Sequence, residues 1–295
     1  MLTERELLRR LAARFPVGDD CFVLEREGKD LLLTTDMLHR ETDFPSGLTP
    51  YSAGWHSAAV SFSDLAAMGG DPLALLVAYG APQFTEEEFD PFLEGLEDAC
   101  RQSGIQLSGG DLDRHSELTV VTTAMGESAH PVTRTGARPG ELVGLTGGLG
   151  RTAAALELFR QGEGERANEL FRFQPRLEEG KILADLASSM IDVSDGLSLS
   201  LHQLAEASDC GFLIDYEKVP LDETLQELLT GEKLREAATF TGGDFELLFT
   251  APSDLRFELA RAGGTVIGEV MEKEAGVGMK LKGELIDLEE RGYSH

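Results

Sequence analysis

The sequence predicts an α/β (α+β) protein of two domains, and three observations carry that expectation. Its 295 residues suit about two domains at roughly 150 residues each. Short apolar runs alternate along the chain with longer capped, amphipathic stretches, the order expected of strands and helices in a layered fold. A segment rich in Pro, Gly and Thr, residues 130–140, interrupts the alternation and divides the chain into domains 1–133 and 134–295.

The elements follow in order. Thr3-Glu4-Arg5-Glu6 is a capping box, and Leu7, Leu8 and Leu11 give the helix behind it an apolar stripe as far as Phe15. A turn at 16–20 leads to a short strand at 21–24, and 30–36 forms a second strand ending in Thr34, Thr35 and Asp36. Residues 51–68 read as a helix of small apolar residues closing on Gly69-Gly70. A strand at 73–79 precedes a second capping box, Thr85-Glu86-Glu87-Glu88, whose helix runs to about Ser103. Gly109-Gly110-Asp111 reads as a turn before the strand 118–125.

Beyond the boundary come a strand at 142–146, a glycine turn at 147–150 and a helix at 152–160. The acidic, glycine-containing stretch 161–169 is read as polar and strandless, and the helix after Pro175 extends through Ala187. Strands at 190–193, 211–215, 245–250 and 265–270 alternate with helices at 197–207, within 222–238 and at 253–262, and the tail from Gly276 forms a hairpin.

Acidic residues outnumber basic ones by 53 to 26, a net charge of −27. That balance argues against a nucleic acid partner and against adhesion to anionic membranes. Cys21, Cys100 and Cys210 are odd in number and lack metal or redox spacing, so they read as buried thiols of a reducing compartment. No charged start leads into an apolar signal region, and no apolar run approaches the roughly 18 residues of a membrane span. The expected location is the cytoplasm.

The stretch Ser61 to Gly70 places one carboxylate, Asp64, in a small, apolar helical setting. A buried carboxylate must be hydrogen-bonded or met by a cation, because an unpaired charge is costly away from water. Four other acidic clusters recur beside glycine or hydroxyl residues: Gly18-Asp19-Asp20, Thr34-Thr35-Asp36, Gly109-Gly110-Asp111 and Asp192-Val193-Ser194-Asp195-Gly196. Any one of them alone reads as a turn or a helix cap. Five together read as a site for Mg²⁺ and phosphate, since Mg²⁺ takes oxygen ligands and bridges to substrate phosphates through one or two carboxylates. Glycines let a polyphosphate approach the backbone. Asp19 is expected to be a turn residue or a supporting partner, and Ser194 or Asp195 to cap the helix that follows. Arg134 is a candidate for pairing with a phosphate.

No Gly-x-x-x-x-Gly-Lys-Ser/Thr occurs, which excludes a P-loop. Gly148-Leu149-Gly150-Arg151-Thr152-Ala153 matches a dinucleotide fingerprint, but no strand ending in an acid follows it, so the match is taken as a decoy. None of the six histidines sits in a triad-like or zinc-like arrangement, and His39 and His56 read as structural.

These motifs, with Arg134-Thr135-Gly136-Ala137-Arg138-Pro139-Gly140 and Thr146-Gly147, resemble in order the thiamine-monophosphate kinase family of ATP-binding enzymes, over about residues 17–270. The resemblance implies that the amino-terminal domain pairs with its copy in a homodimer to form a barrel, and that the carboxy-terminal domain covers the nucleotide and substrate. It implies ATP as co-substrate with several Mg²⁺ ions. Asp20, Thr34, Thr35, Asp36, Asp64, Asp111, Asp192 and Asp195 match its metal positions, with Asp64 and Asp111 at the centre of the reaction. Gly110, Asp111, Arg134 and Ser194 match its nucleotide contacts. At its substrate positions stand Asp43, where His is common, Gly243, where Glu is common, and Glu290, near the usual Trp. Two alternatives stay open: the same ATP chemistry on another small phosphorylated or carbonyl metabolite, and a non-catalytic nucleotide- or metal-binding regulator.

Overall fold

Helix α1 (Pro50–Ala67) is the element on which both halves are built. Thr49 caps it by accepting from the Ser52 amide at 3.2 Å, and Pro50 starts it where a missing N–H costs nothing. Its Ala, Ser and Gly content leaves it buried on nearly every side. Small residues also allow close approach: a Cβ on Gly54 would lie 1.9 Å from the Phe92 carbonyl, and one on Gly95 would lie 2.0 Å from that of Tyr51. Helix α2 (Glu86–Gln102) therefore crosses α1 backbone against backbone. The computed structural model describes residues 17–293 together with 7 and 10–15.

The first sheet comprises β1 (Phe22–Leu24), β2 (Asp30–His39), β3 (Asp71–Ala81), β4 (Leu107–Arg114) and β5 (Thr119–Ser128), in the order β1-β2-β5-β3-β4. Only β3 and β4 run parallel. Helix α1 packs on one face, where Leu32, Leu75, Val77 and Ala124 are buried. The other face exposes Met37, Leu73 and Leu76.

The second sheet holds β6 (Leu142–Thr146), β7 (Ser189–Asp192), β8 (Gly211–Asp215), β9 (Leu247–Ala251), β10 (Gly264–Met271), β11 (Val277–Leu281) and β12 (Glu284–Asp287). Their order is β12-β11-β8-β10-β6-β9-β7, and β8 with β11 is the parallel pair. Around it lie α3 (Arg151–Gln161), α4 (Gly164–Phe171), α5 (Leu177–Ala184), α6 (Leu197–Ser208), α7 (Glu223–Leu228), α8 (Gly231–Phe240) and α9 (Arg256–Arg261). Mixed ladders with helices give the α+β form of the predicted class. One core joins the halves, running from Trp55 and Phe62 on α1 to Phe171, Phe173, Phe245 and Phe249. A second lies around Leu145, Ile191, Leu201, Phe212 and Ile214.

Two local expectations change. Gly109-Gly110-Asp111 is strand, not turn: a Cβ on Gly110 would sit 1.8 Å from the Val77 carbonyl, so glycine admits the close parallel pairing there. The stretch 161–169 is strandless as expected and contributes most of α4, whose apolar side buries Ala167 and Phe171. Thr85 does precede α2, but its side chain makes no cap hydrogen bond. The first capping box and Leu8 lie outside the described residues, and Leu7, Leu11 and Phe15 are exposed. No helix among the described residues is long and apolar enough to cross a membrane.

Candidate active site

Four segments carry acids to one end of α1. Asp64 reaches it from the last turns of the helix, Asp36 from β2, Asp192 from the end of β7, and Asp20 from the loop before β1. Carboxylate oxygens of Asp20, Asp64 and Asp192 lie within 4.8 Å of one another. Alternation along β2 turns Thr34 and Asp36 toward α1. There Thr34 Oγ1 donates to Asp64, and Ser61 Oγ donates to Asp36 and stands 2.7 Å from Thr122 Oγ1. Ser63 Oγ donates to Asp192 Oδ2 at 2.5 Å. Two serines of α1 thus hold two of the three acids that the other segments deliver, Asp36 and Asp192.

Burial pushes the Asp192 carboxyl up to about 7, with the nearby Asp20 charge adding to it. Burial raises Asp36, and raises Asp64 well above the carboxylate range with help from Asp36, Asp192 and Asp20. Cys21 beside them is held firmly as a thiol, by burial first and then by the same acids. The cation that meets the cluster is Arg134. Its Nη2 donates to Asp20 Oδ1 at 2.7 Å, and its amide donates to Asp19 Oδ1 at 2.6 Å, so Asp19 does serve as a support. Arg134 stays charged despite burial because Asp20 faces it.

One guanidinium cannot neutralise four acids, and Asp20 Oδ2 is buried without a hydrogen-bond partner. An all-oxygen donor set with an unmet carboxylate oxygen fits a hard divalent cation such as Mg²⁺. Asp20, Asp64 and Asp192 would hold it, with Asp36 and Thr34 adjoining.

Beside Asp36 opens a cavity of about 330 Å³. Ser194, Asp195, Asp43 and Gly243 line it, so the expected phosphate and substrate positions share one wall. Asp43 Oδ2 is fixed by the His39 amide at 2.8 Å and Thr42 Oγ1 at 2.7 Å. Gly243 takes φ +92°, a conformation that side chains rarely adopt, and its amide donates to the Ser194 carbonyl at 2.6 Å. Glu290 is not in this wall. Tyr293 is, because its amide donates to the Asp195 carbonyl at 3.0 Å and draws the tail over the cavity.

Thr35 and the pair Gly110 and Asp111 do not join the acid cluster. Thr35 Oγ1 donates to the Thr122 carbonyl at 2.8 Å. Asp111 lies opposite Ala78 in register, Ala78 opposite Val121, and Val121 opposite Met37. That row belongs to the open face, and three ladder spacings put Asp111 about 14 Å from β2.

The loop before α6 also departs from expectation. Gly196 at φ +101° is its N-cap, so the residue at the cap position offers no side chain of its own. At the decoy fingerprint, the amides of Gly150 and Thr152 donate to Asp244 at 2.6 and 3.1 Å. A carboxylate of the chain itself occupies the place where a dinucleotide phosphate would sit. His56, Thr152, Phe171 and Phe245 line the cavity and were not foreseen. For His56 the legible signal was its place eight residues before Asp64 on one helix.

The model of "AIR synthase related protein, N-terminal domain" matches residues 18–128, and that of "AIR synthase related protein, C-terminal domain" matches 138–280. The chain is 47% identical to thiamine-monophosphate kinase of Halobacterium salinarum, covering 98% of each chain. It is 33% identical to thiamine-monophosphate kinase of Escherichia coli, over 97% of this chain and 93% of that one. It superposes on AaThiL complexed with AMPPCP and TMP with a TM-score of 0.90 at 29% identity, covering 100% of this chain and 97% of that one. Full-length agreement with relatives in sequence and in fold accounts for the order of the acidic motifs: the chain belongs to the thiamine-monophosphate kinase family of AIR synthase related proteins.

Proposed function

We propose that this protein transfers the γ-phosphoryl group of ATP to thiamine monophosphate in the presence of Mg²⁺, forming thiamine diphosphate and ADP. The observation that carries the reading is the unmet Asp20 Oδ2 in a buried acid cluster beside a cavity of acceptor size. Bound Mg²⁺ would neutralise phosphate charge as it develops.

The chain's own residues do the rest. The acceptor is already an anionic phosphate oxygen, so no strong general base is required, and positioning dominates. Asp43 offers a fixed carboxylate to the thiazolium cation. Ser194, Arg134 and the N-terminus of α6, with glycine at its cap, suit phosphate. Tyr293 and the aromatic wall keep water from the acceptor.

In the same reading, residues 1–133 form the metal and dimerisation domain and 134–295 the covering domain. The open apolar face of the first sheet is the surface a second copy would bury, and there Gly110, Asp111 and Thr35 would complete a nucleotide site. Buried free thiols suit a cytoplasmic setting. An assay for thiamine diphosphate and ADP across several phosphorylated acceptors tests the function. Equal yields of both products from thiamine monophosphate are expected, and ATP turnover only with another acceptor would replace this reading.

A further inference from the structure

The kinase reading leaves His56 without a task. It stands on α1 eight residues before Asp64, about 12 Å along the helix axis at 1.5 Å per residue. Its imidazole is boxed by Phe171, Phe173 and Phe245, with ring centroids at 4.5, 5.5 and 5.8 Å. It lines the same cavity as Asp36, Asp43 and Asp195. Nδ1 is buried and has no hydrogen-bond partner.

Burial lowers the imidazole pKa to about 4, against the pull of the Phe171 backbone and Asp43, so the ring is neutral. A neutral imidazole carries one N–H and one lone pair. The Phe171 backbone carbonyl serves as an acceptor for the ring, and the phenyl rings offer Nδ1 no conventional hydrogen bond. A phenylalanine at this position would fill the box without leaving a buried polar atom unmet.

The cavity then has two unlike ends. Carboxylates and Ser194 suit a metal-bound phosphate at one, and a flat aromatic box with a single neutral polar group suits a heteroaromatic ring at the other. Thiamine monophosphate has that layout, with its aminopyrimidine remote from its phosphate. On the kinase reading above, we propose that the imidazole of His56 accepts a hydrogen bond from the exocyclic amine of the aminopyrimidine and is a specificity-determining residue of the acceptor site.

The test compares thiamine monophosphate with the analogue that carries a carbonyl oxygen in place of that amine, in wild type, His56→Phe and His56→Gln. Wild type should prefer the amine by about tenfold in kcat/KM, the size of one hydrogen bond. His56→Phe should lose the preference through the acceptor KM, with the ATP KM unchanged. His56→Gln, whose amide oxygen also accepts, should keep part of it. Equal use of both acceptors by wild type, a test that needs no variant, overturns the inference. So does a full preference retained in His56→Phe. Wild type that makes no thiamine diphosphate at all defeats the kinase reading instead.

Discussion

Asp64→Asn lowers kcat for thiamine monophosphate by at least ~10³-fold, the range seen when a preorganised electrostatic group is lost from an active site, and the variant still folds. Asn has nearly the same shape as Asp and keeps an oxygen to accept from Thr34. What it removes is one charge from a buried array of like charges, which relieves repulsion in the metal-free protein. The melting temperature without Mg²⁺ should therefore stay level or rise while activity collapses. Steady-state kinetics beside thermal melts separate this result from simple unfolding. A folded variant with full activity would remove Asp64 from the mechanism.

Stabilisation by Mg²⁺ should grow with pH. Asp192 sits at about 7 in the fold, and Asp36 and Asp64 are raised as well, above all by burial. In the unfolded chain such carboxyls titrate near 3.9. Folded values above unfolded ones mean that protonation favours the fold, so the metal-free protein loses stability as pH climbs from about 4 through about 7. For Asp192 alone that loss is up to about 4 kcal/mol. A cation in the array offsets it by binding only the folded state, so the Mg²⁺-induced rise in Tm should be small near pH 5.5 and roughly 5 °C or more near pH 8. Thermal melts with and without Mg²⁺ across that range check the slope. A rise that is constant, or largest at low pH, contradicts a carboxylate array as the metal site.

Much of this was legible in the chain because the acids recur beside small residues. Asp20, Asp36, Asp64 and Asp192 do converge, since each ends or flanks a strand or helix whose apolar pattern fixed its direction. Period-two alternation splits Thr34 from Thr35, so adjacent residues of one motif face opposite sides of β2. Gly109-Gly110-Asp111 misled because glycine suits both a turn and a strand packed too closely for a Cβ. The helical character of 164–171 was hidden by its charge, which faces water while Ala167 and Phe171 face the core. Tyr293 came from tertiary packing of the tail on the Asp195 loop, which no local pattern encodes.

The most direct test of the central claim is a crystal grown with a non-hydrolysable ATP analogue, thiamine monophosphate and Mn²⁺ in place of Mg²⁺, read by anomalous scattering. The account predicts a metal peak bounded by Asp20, Asp64 and Asp192, with the acceptor phosphate toward Asp36 and its ring toward His56. No peak at those three carboxylates, or an acceptor bound outside that cavity, would contradict it.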